Sequence, residues 1–168
     1  VISFHLFGEI EITNFMLTSF FDIWATILLA SILFLFSVNY QVIFVSCFIF
    51  SINLIGWEYW RAGNHFDHLN VFLFSFYIWS IIKFIYSKNI YTSLLIGISS
   101  GLLILFYSLG YIIIPIILIF LTFFIRIKIT FFTFIKMFLF PIIILLIVLT
   151  KNFLSVGILA PSSLGGQN

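Results

Sequence analysis

The chain has 168 residues, of which 64% are hydrophobic and only 7% are charged, and its mean hydropathy is +1.32. Soluble domains contain roughly 25% charged residues, so this chain cannot cover a water-facing surface, and a soluble globular protein is excluded. Its net charge of +2 is too small to indicate a nucleic-acid partner. The composition therefore indicates an integral membrane protein, with the lipid bilayer as its first partner.

Helices, and not the strands of a barrel, are predicted to cross the membrane. A spanning helix needs ~20 apolar residues, whereas a transmembrane strand alternates apolar and polar residues. Residues 112–125 are apolar except for Pro115 and Thr122, without alternation. The sequence predicts an all-α fold, a polytopic transmembrane helical bundle of about six spans joined by short turns. The predicted spans are about 20–37, 42–60, 71–86, 90–107, 111–125 and 131–150.

The segments outside these spans are short. Residues 1–19 are of mixed polarity and predict either an interfacial helix or a loop, and the tail from Lys151 to Asn168 is rich in turn residues. Because the chain opens on Val1, without an initiator methionine, we expect residues 1–168 to be a single transmembrane region from inside a longer protein. The one cysteine, Cys47, permits no internal disulfide.

The orientation follows from the cations. Five of them lie in or near the turns after the third and fifth predicted spans, and the opposite face carries only Arg61 and Lys151. Cytoplasmic loops are enriched in Lys and Arg. We therefore expect the N-terminus, window 61–70 and the tail to be extracytoplasmic. Because the sequence has no eukaryotic sorting features, we expect the membrane to be a bacterial inner membrane.

Window 61–70, RAGNHFDHLN, is the most polar part of the chain. Arg61 could clamp a phosphate, and His65, Asp67 and His68 could line a polar acceptor. These four are the candidate substrate-binding residues. Two alternatives stay open: the window is merely the longest hydrated loop, or its carboxylate and imidazoles hold a divalent metal. Spacing alone does not make a metal site, so no cofactor is predicted.

One carboxylate falls inside the first predicted span. Burying it at the centre of a bilayer would cost about 2.5–3.5 kcal/mol. We expect Asp22 to reach the interface or to cap the start of the helix; if it is buried, a functional role follows.

A small-residue pattern marks the fourth predicted span. Gly97 and Gly101 are four residues apart, on one helix face, and allow close backbone approach. The pattern predicts packing within the chain, with homodimerisation as the alternative.

Residues 61–125 resemble the middle of a GT-C type membrane glycosyltransferase. A polar outer loop leads into a span, a turn with Lys83 and Lys88 follows, and then come a GISSGLL helix and a span opening YIIIP. The tail KNFLSVGILAPSSLGGQN is similar to the segment after a late helix in bacterial members. The resemblance implies transfer of a sugar from a polyprenyl-phosphate donor on the extracytoplasmic face. It places the catalytic acid upstream, so no catalytic residue is assigned. Glu9 and Glu11 do not reproduce the loop that carries this acid, and their role stays open.

Other functions stay open. A surface-polysaccharide polymerase also has many helices and polar external loops. A transporter or flippase would need ionisable residues near the midplane, whereas the interiors of the predicted spans are almost purely apolar. A noncatalytic membrane subunit is the third alternative.

Overall fold

A computed structural model describes most of the helical part of the chain. The described residues are 10–60, 65–87, 89–106, 114, 117 and 131–157. All of their regular structure is helical, which confirms the predicted all-α fold for these ranges. The predicted fifth span, 111–125, lies outside the described residues except for two helical positions. Six spans therefore remain a prediction.

Five helices follow one another in the described ranges. They are α1 (Ile10–Leu35), α2 (Tyr40–Trp60), α3 (His65–Ser87), α4 (Ile90–Phe106) and α5 (Phe131–Val156).

Three of these helices are long and apolar enough to cross a bilayer. The qualifying segments are Met16–Leu35, His68–Ser87 and Ile135–Ser155, with mean hydropathies of 1.8, 1.6 and 2.3. Twenty helical residues extend about 30 Å, the thickness of the hydrocarbon core. Large apolar side chains on the surface, such as Phe44 at 71% and Leu154 at 79% exposure, suit contact with lipid. The chain is therefore described as an integral membrane protein.

Two helices begin earlier than their spans were predicted to begin. α1 starts at Ile10 and not at Phe20, so residues 10–19 are continuous with the first span. α3 starts at His65 and not at Val71, so the prediction of a loop over residues 65–70 is wrong. Hydropathy locates the apolar part of a helix, whereas helical hydrogen bonding continues into polar residues beyond it.

The chain divides into two compact units, Val1–Trp79 and Ser80–Asn168. In the first unit, α1 packs on α2. The turn between them places Ser37 in the left-handed region, at φ 54°. Further along the interface, the hydroxyl oxygens of Thr26 and Ser51 lie 3.3 Å apart, so a polar contact joins the two helices.

In the second unit, α4 packs closely on α5 through its two glycines. A Cβ atom at Gly97 would lie 2.6 Å from the carbonyl oxygen of Lys136 and 3.4 Å from that of Met137. A Cβ atom at Gly101 would collide with the Phe140 ring. The predicted use of this glycine face for packing within the chain is confirmed.

The two glycines should differ in their tolerance of alanine. Gly97→Ala would push a methyl group into the backbone of α5, which cannot yield without separating the helices. We expect a loss of about 1–3 kcal/mol in the free energy of unfolding, although alanine favours helix by ~1 kcal/mol. Gly101→Ala meets side chains and not backbone: the Phe140 ring, which is 37% exposed and can rotate, and Ile144 at 3.4 Å, so its loss should be smaller. Unfolding in detergent micelles, followed by circular dichroism, measures both; equal stability of the two variants would contradict the packing described.

Candidate functional site

Of the four candidate substrate-binding residues, the structure describes only one with its side chain. Arg61 lies outside the described residues. His65 and Asp67 lie in the first turn of α3, and their side chains are outside the described part. His68 is described in full and is only 7% exposed. Substrate binding by these four residues stays a prediction.

His68 is paired with the carboxylate of Asp22. Its Nδ1 atom lies 2.7 Å from Asp22 Oδ1, and the side chains of His68 and Asp22 are 9% and 16% exposed. The contact joins α3 to α1 within the first unit. Two polar groups that sequence analysis treated separately thus form one buried site.

Asp22 does not have the capping role expected from the sequence. α1 begins at Ile10, roughly three turns before Asp22, so the carboxylate does not cap the helix start. The side chain is largely buried and bonded to an imidazole, so it does not reach freely toward water either. The capping expectation is therefore wrong, whereas the position of Asp22 relative to the interface and a functional role of the carboxylate stay predictions.

The sequence of α1 presents polar groups along one face. Thr18, Asp22 and Thr26 are spaced by four residues, and side chains at this spacing lie on one side of a helix. Thr18 is 2% exposed, and the Thr26 hydroxyl donates to the Asp22 carbonyl oxygen at 2.8 Å. Ala25, fully buried beside this stripe, leaves room for neighbours to approach. The face therefore points into the first unit.

Aromatic rings flank the pair. Phe21 is next to Asp22 in the chain, and Phe72 lies one turn after His68; their rings stack with centroids 5.8 Å apart. Phe72 stacks in turn on Phe76 at 6.2 Å, and Phe76 on Trp79 at 6.0 Å. Apolar rings exclude water and lower the local dielectric, which strengthens a hydrogen bond between polar partners.

This arrangement suits proton transfer. When the Asp22 carboxylate is ionised it only accepts hydrogen bonds, and the donor of the contact is then the Nδ1–H group of the imidazole. The other ring nitrogen, Nε2, then carries the lone pair. A histidine oriented in this way has the chemistry of a general base, since a neighbouring carboxylate stabilises an imidazolium.

The metal hypothesis gains no support from the described side chains. Among them, no group of three or more His, Cys, Asp or Glu residues could hold a metal ion. Asp22 and His68 alone would supply two ligands, fewer than the three protein ligands of catalytic zinc sites. The side chains of His65 and Asp67 lie outside the described part, so the hypothesis remains open there.

One more polar group lies close in sequence. The Asn70 side-chain oxygen is buried and has no hydrogen-bond partner among the described residues. Asn70 follows His68 by two positions, about 200° around the helix, and so lies on another face of α3. The pair is the centre of the site, and Asn70 is not placed in it.

Comparison with known proteins finds no matching protein family, no matching characterised sequence and no matching solved structure.

The pair should be coupled energetically. Asp22→Asn and His68→Gln should each lower the free energy of unfolding by about 1–3 kcal/mol, because each leaves a buried polar partner poorly bonded. The double variant should show a coupling of about 0.5–3 kcal/mol. Tyr40→Phe, at a position that is 73% exposed at the start of α2, provides a control that should add to Asp22→Asn independently. The contact would be contradicted if Asp22→Asn and His68→Gln showed no coupling energy. It would also be contradicted if their coupling equalled that between Asp22→Asn and Tyr40→Phe.

Proposed function

We propose that the chain is a glycosyltransferase-like membrane enzyme that transfers a sugar from a polyprenyl-phosphate donor to an acceptor hydroxyl on the extracytoplasmic side. The observation that carries the proposal is the buried pair of Asp22 and His68. An oriented imidazole provides the base that such a transfer needs. The resemblance of residues 61–125 supplies the substrate class.

The depth of the pair is compatible with a lipid-linked substrate. His68 is the first residue of the spanning segment His68–Ser87. Asp22 lies roughly 9 Å from the start of Met16–Leu35, since a helix rises 1.5 Å per residue. A sugar-phosphate headgroup occupies the polar boundary of the bilayer while its prenyl chain stays in the hydrocarbon. The base is thus close to the level at which the reacting bond would lie.

The proposed step is a displacement at the anomeric carbon. His68 Nε2 accepts the proton of the acceptor hydroxyl as that oxygen forms its bond to the sugar. The bond between the anomeric carbon and the donor phosphate oxygen breaks, and the phosphate leaves with the electron pair. Asp22 stabilises the imidazolium, which later releases its proton to solvent. Arg61 is proposed to bind the donor phosphate, and His65 and Asp67 to contact the acceptor.

A second candidate follows from the same observation. An ionisable pair buried inside spanning segments is also what proton-coupled transport requires. Protonation of Asp22 or His68 would change the charge of the site and could drive a change in helix packing. A polysaccharide polymerase would use the same base for a related transfer, and a noncatalytic subunit would use the pair only for structure.

Turnover of the complete protein in liposomes tests the proposal. His68→Gln and Asp22→Asn should each lower kcat for consumption of polyprenyl-phosphate sugar by about 10²–10⁴-fold, the usual contribution of a general base. Arg61→Gln should mainly raise KM for the donor, because it removes a phosphate contact. Radiolabelled sugar transfer measures all three.

Thr26→Val is the matched control, since it removes the next hydroxyl along the same face of α1 at nearly constant volume. Its turnover should stay close to that of the parent protein. Full activity in both His68→Gln and Asp22→Asn would reject the base. If the parent protein transfers no sugar but conducts protons, a loss of proton flux in these two variants would favour the transporter. If their proton flux is unchanged, the pair has only a structural role.

The proposal includes six spans with the N-terminus outside, which single cysteines can test. Asn39 and Asn89, both exposed between helices, should react with an impermeant maleimide only from the cytoplasmic side when changed to Cys in a Cys47→Ser background. Gly157→Cys, just after α5, should react from outside. An odd number of crossings separates positions 89 and 157 only if residues 111–125 span the membrane. Labelling of both from one side would contradict the fifth span.

A further inference from the structure

The second unit has an open apolar groove between α4 and α5. It encloses about 170 Å³ and is lined by Leu94, Lys136, Leu139, Phe140 and Ile143. Cavities of ~150 Å³ with apolar walls accept small hydrocarbons. Leu139 and Ile143 are 55% and 44% exposed, so the groove opens onto the surface of the unit. Its size and chemistry suit one stretch of a hydrocarbon chain.

The groove follows the spanning segment of α5, starting near the N-terminal end of that segment. Lys136 is the second residue of Ile135–Ser155, and its apolar stem forms part of the wall. From there the lining positions on α5 extend to Ile143, about 10 Å further into the membrane. A lysine in this position buries its methylenes and directs its ammonium group to the headgroup level.

The charged residues of the second unit indicate which kind of group would bind next to Lys136. Residues 80–168 contain no Asp or Glu, and they carry all but one of the chain's Lys and Arg residues. The five acids all lie between Glu9 and Asp67, in the first unit. No acidic side chain of its own unit can therefore pair with Lys136, and at the edge of a bilayer the abundant anions are lipid phosphates.

We propose that this groove is a binding site for an anionic phospholipid. One acyl chain lies along Leu139, Phe140 and Ile143, while the phosphate contacts the ammonium group of Lys136. The site is independent of the sugar transfer proposed above and involves no residue of the Asp22–His68 pair.

Native mass spectrometry of the full chain in neutral detergent tests the site. The probes are phosphatidylglycerol and phosphatidylcholine with the same acyl chains. One lysine near a membrane surface should give about a fivefold preference for the anionic lipid. Lys136→Gln should abolish this preference, and Lys136→Arg should keep it. Leu139→Asn should weaken the binding of both lipids alike, because it places a polar side chain in the wall that contacts their acyl chains.

Lys151→Gln is the matched control. Lys151 is exposed near the other end of α5 and does not line the groove, so its loss should leave the preference intact. A preference retained in Lys136→Gln, or lost equally in Lys151→Gln, would overturn the proposal. Full competition by glycerol phosphate would overturn it as well, since a headgroup without chains would then suffice. Circular dichroism of each variant confirms that folding is preserved.

Discussion

The bilayer core contains no water, so every polar group in a spanning helix needs a partner within the protein. This constraint explains much of the described structure. In α4, an apolar helix shorter than the three candidate spans, the hydroxyls of Ser93, Ser99 and Ser100 donate to carbonyl oxygens of their own helix at 2.7, 2.8 and 2.9 Å. Asp22 cannot be satisfied locally in this way, because a carboxylate accepts and α1 has already used its backbone donors. Its partner has to come from another helix, and His68 of α3 is that partner.

The same constraint applies to the joint between α4 and α5. Pro141 lies inside α5 and has no amide hydrogen, so it cannot donate to the Met137 carbonyl one turn earlier. That carbonyl lies beside Gly97, within 3.4 Å of where a Cβ would be. The absence of a side chain at Gly97 lets the backbone of α4 approach this carbonyl closely.

The sequence was sufficient to predict the helical class and the cores of the helices, because hydropathy directly reports contact with lipid. It misplaced the starts of α1 and α3, where helical hydrogen bonds continue into polar residues. The glycine face was predictable because both residues lie in one helix. The pair was not: Asp22 and His68 are 46 positions apart, and nothing in their local patterns encodes which helices meet. The cost of burying Asp22 was the available signal, since it implies a partner of complementary chemistry.

The pair of Asp22 and His68 is not easily explained by its contribution to the stability of the fold. Removing charged groups from water costs several kcal/mol, and replacing a buried pair with apolar side chains is often neutral or stabilising. Beside Phe21 and Phe72, leucine in both positions would pack without that cost. The contribution of the pair to folding alone is therefore expected to be small, and the proton-transfer role proposed above would give another reason for its presence. The two units also differ in chemistry, because the first contains every acid and histidine and the second nearly all the cations. The acidic side chains and the imidazoles are thus separated along the chain from all the cations except Arg61.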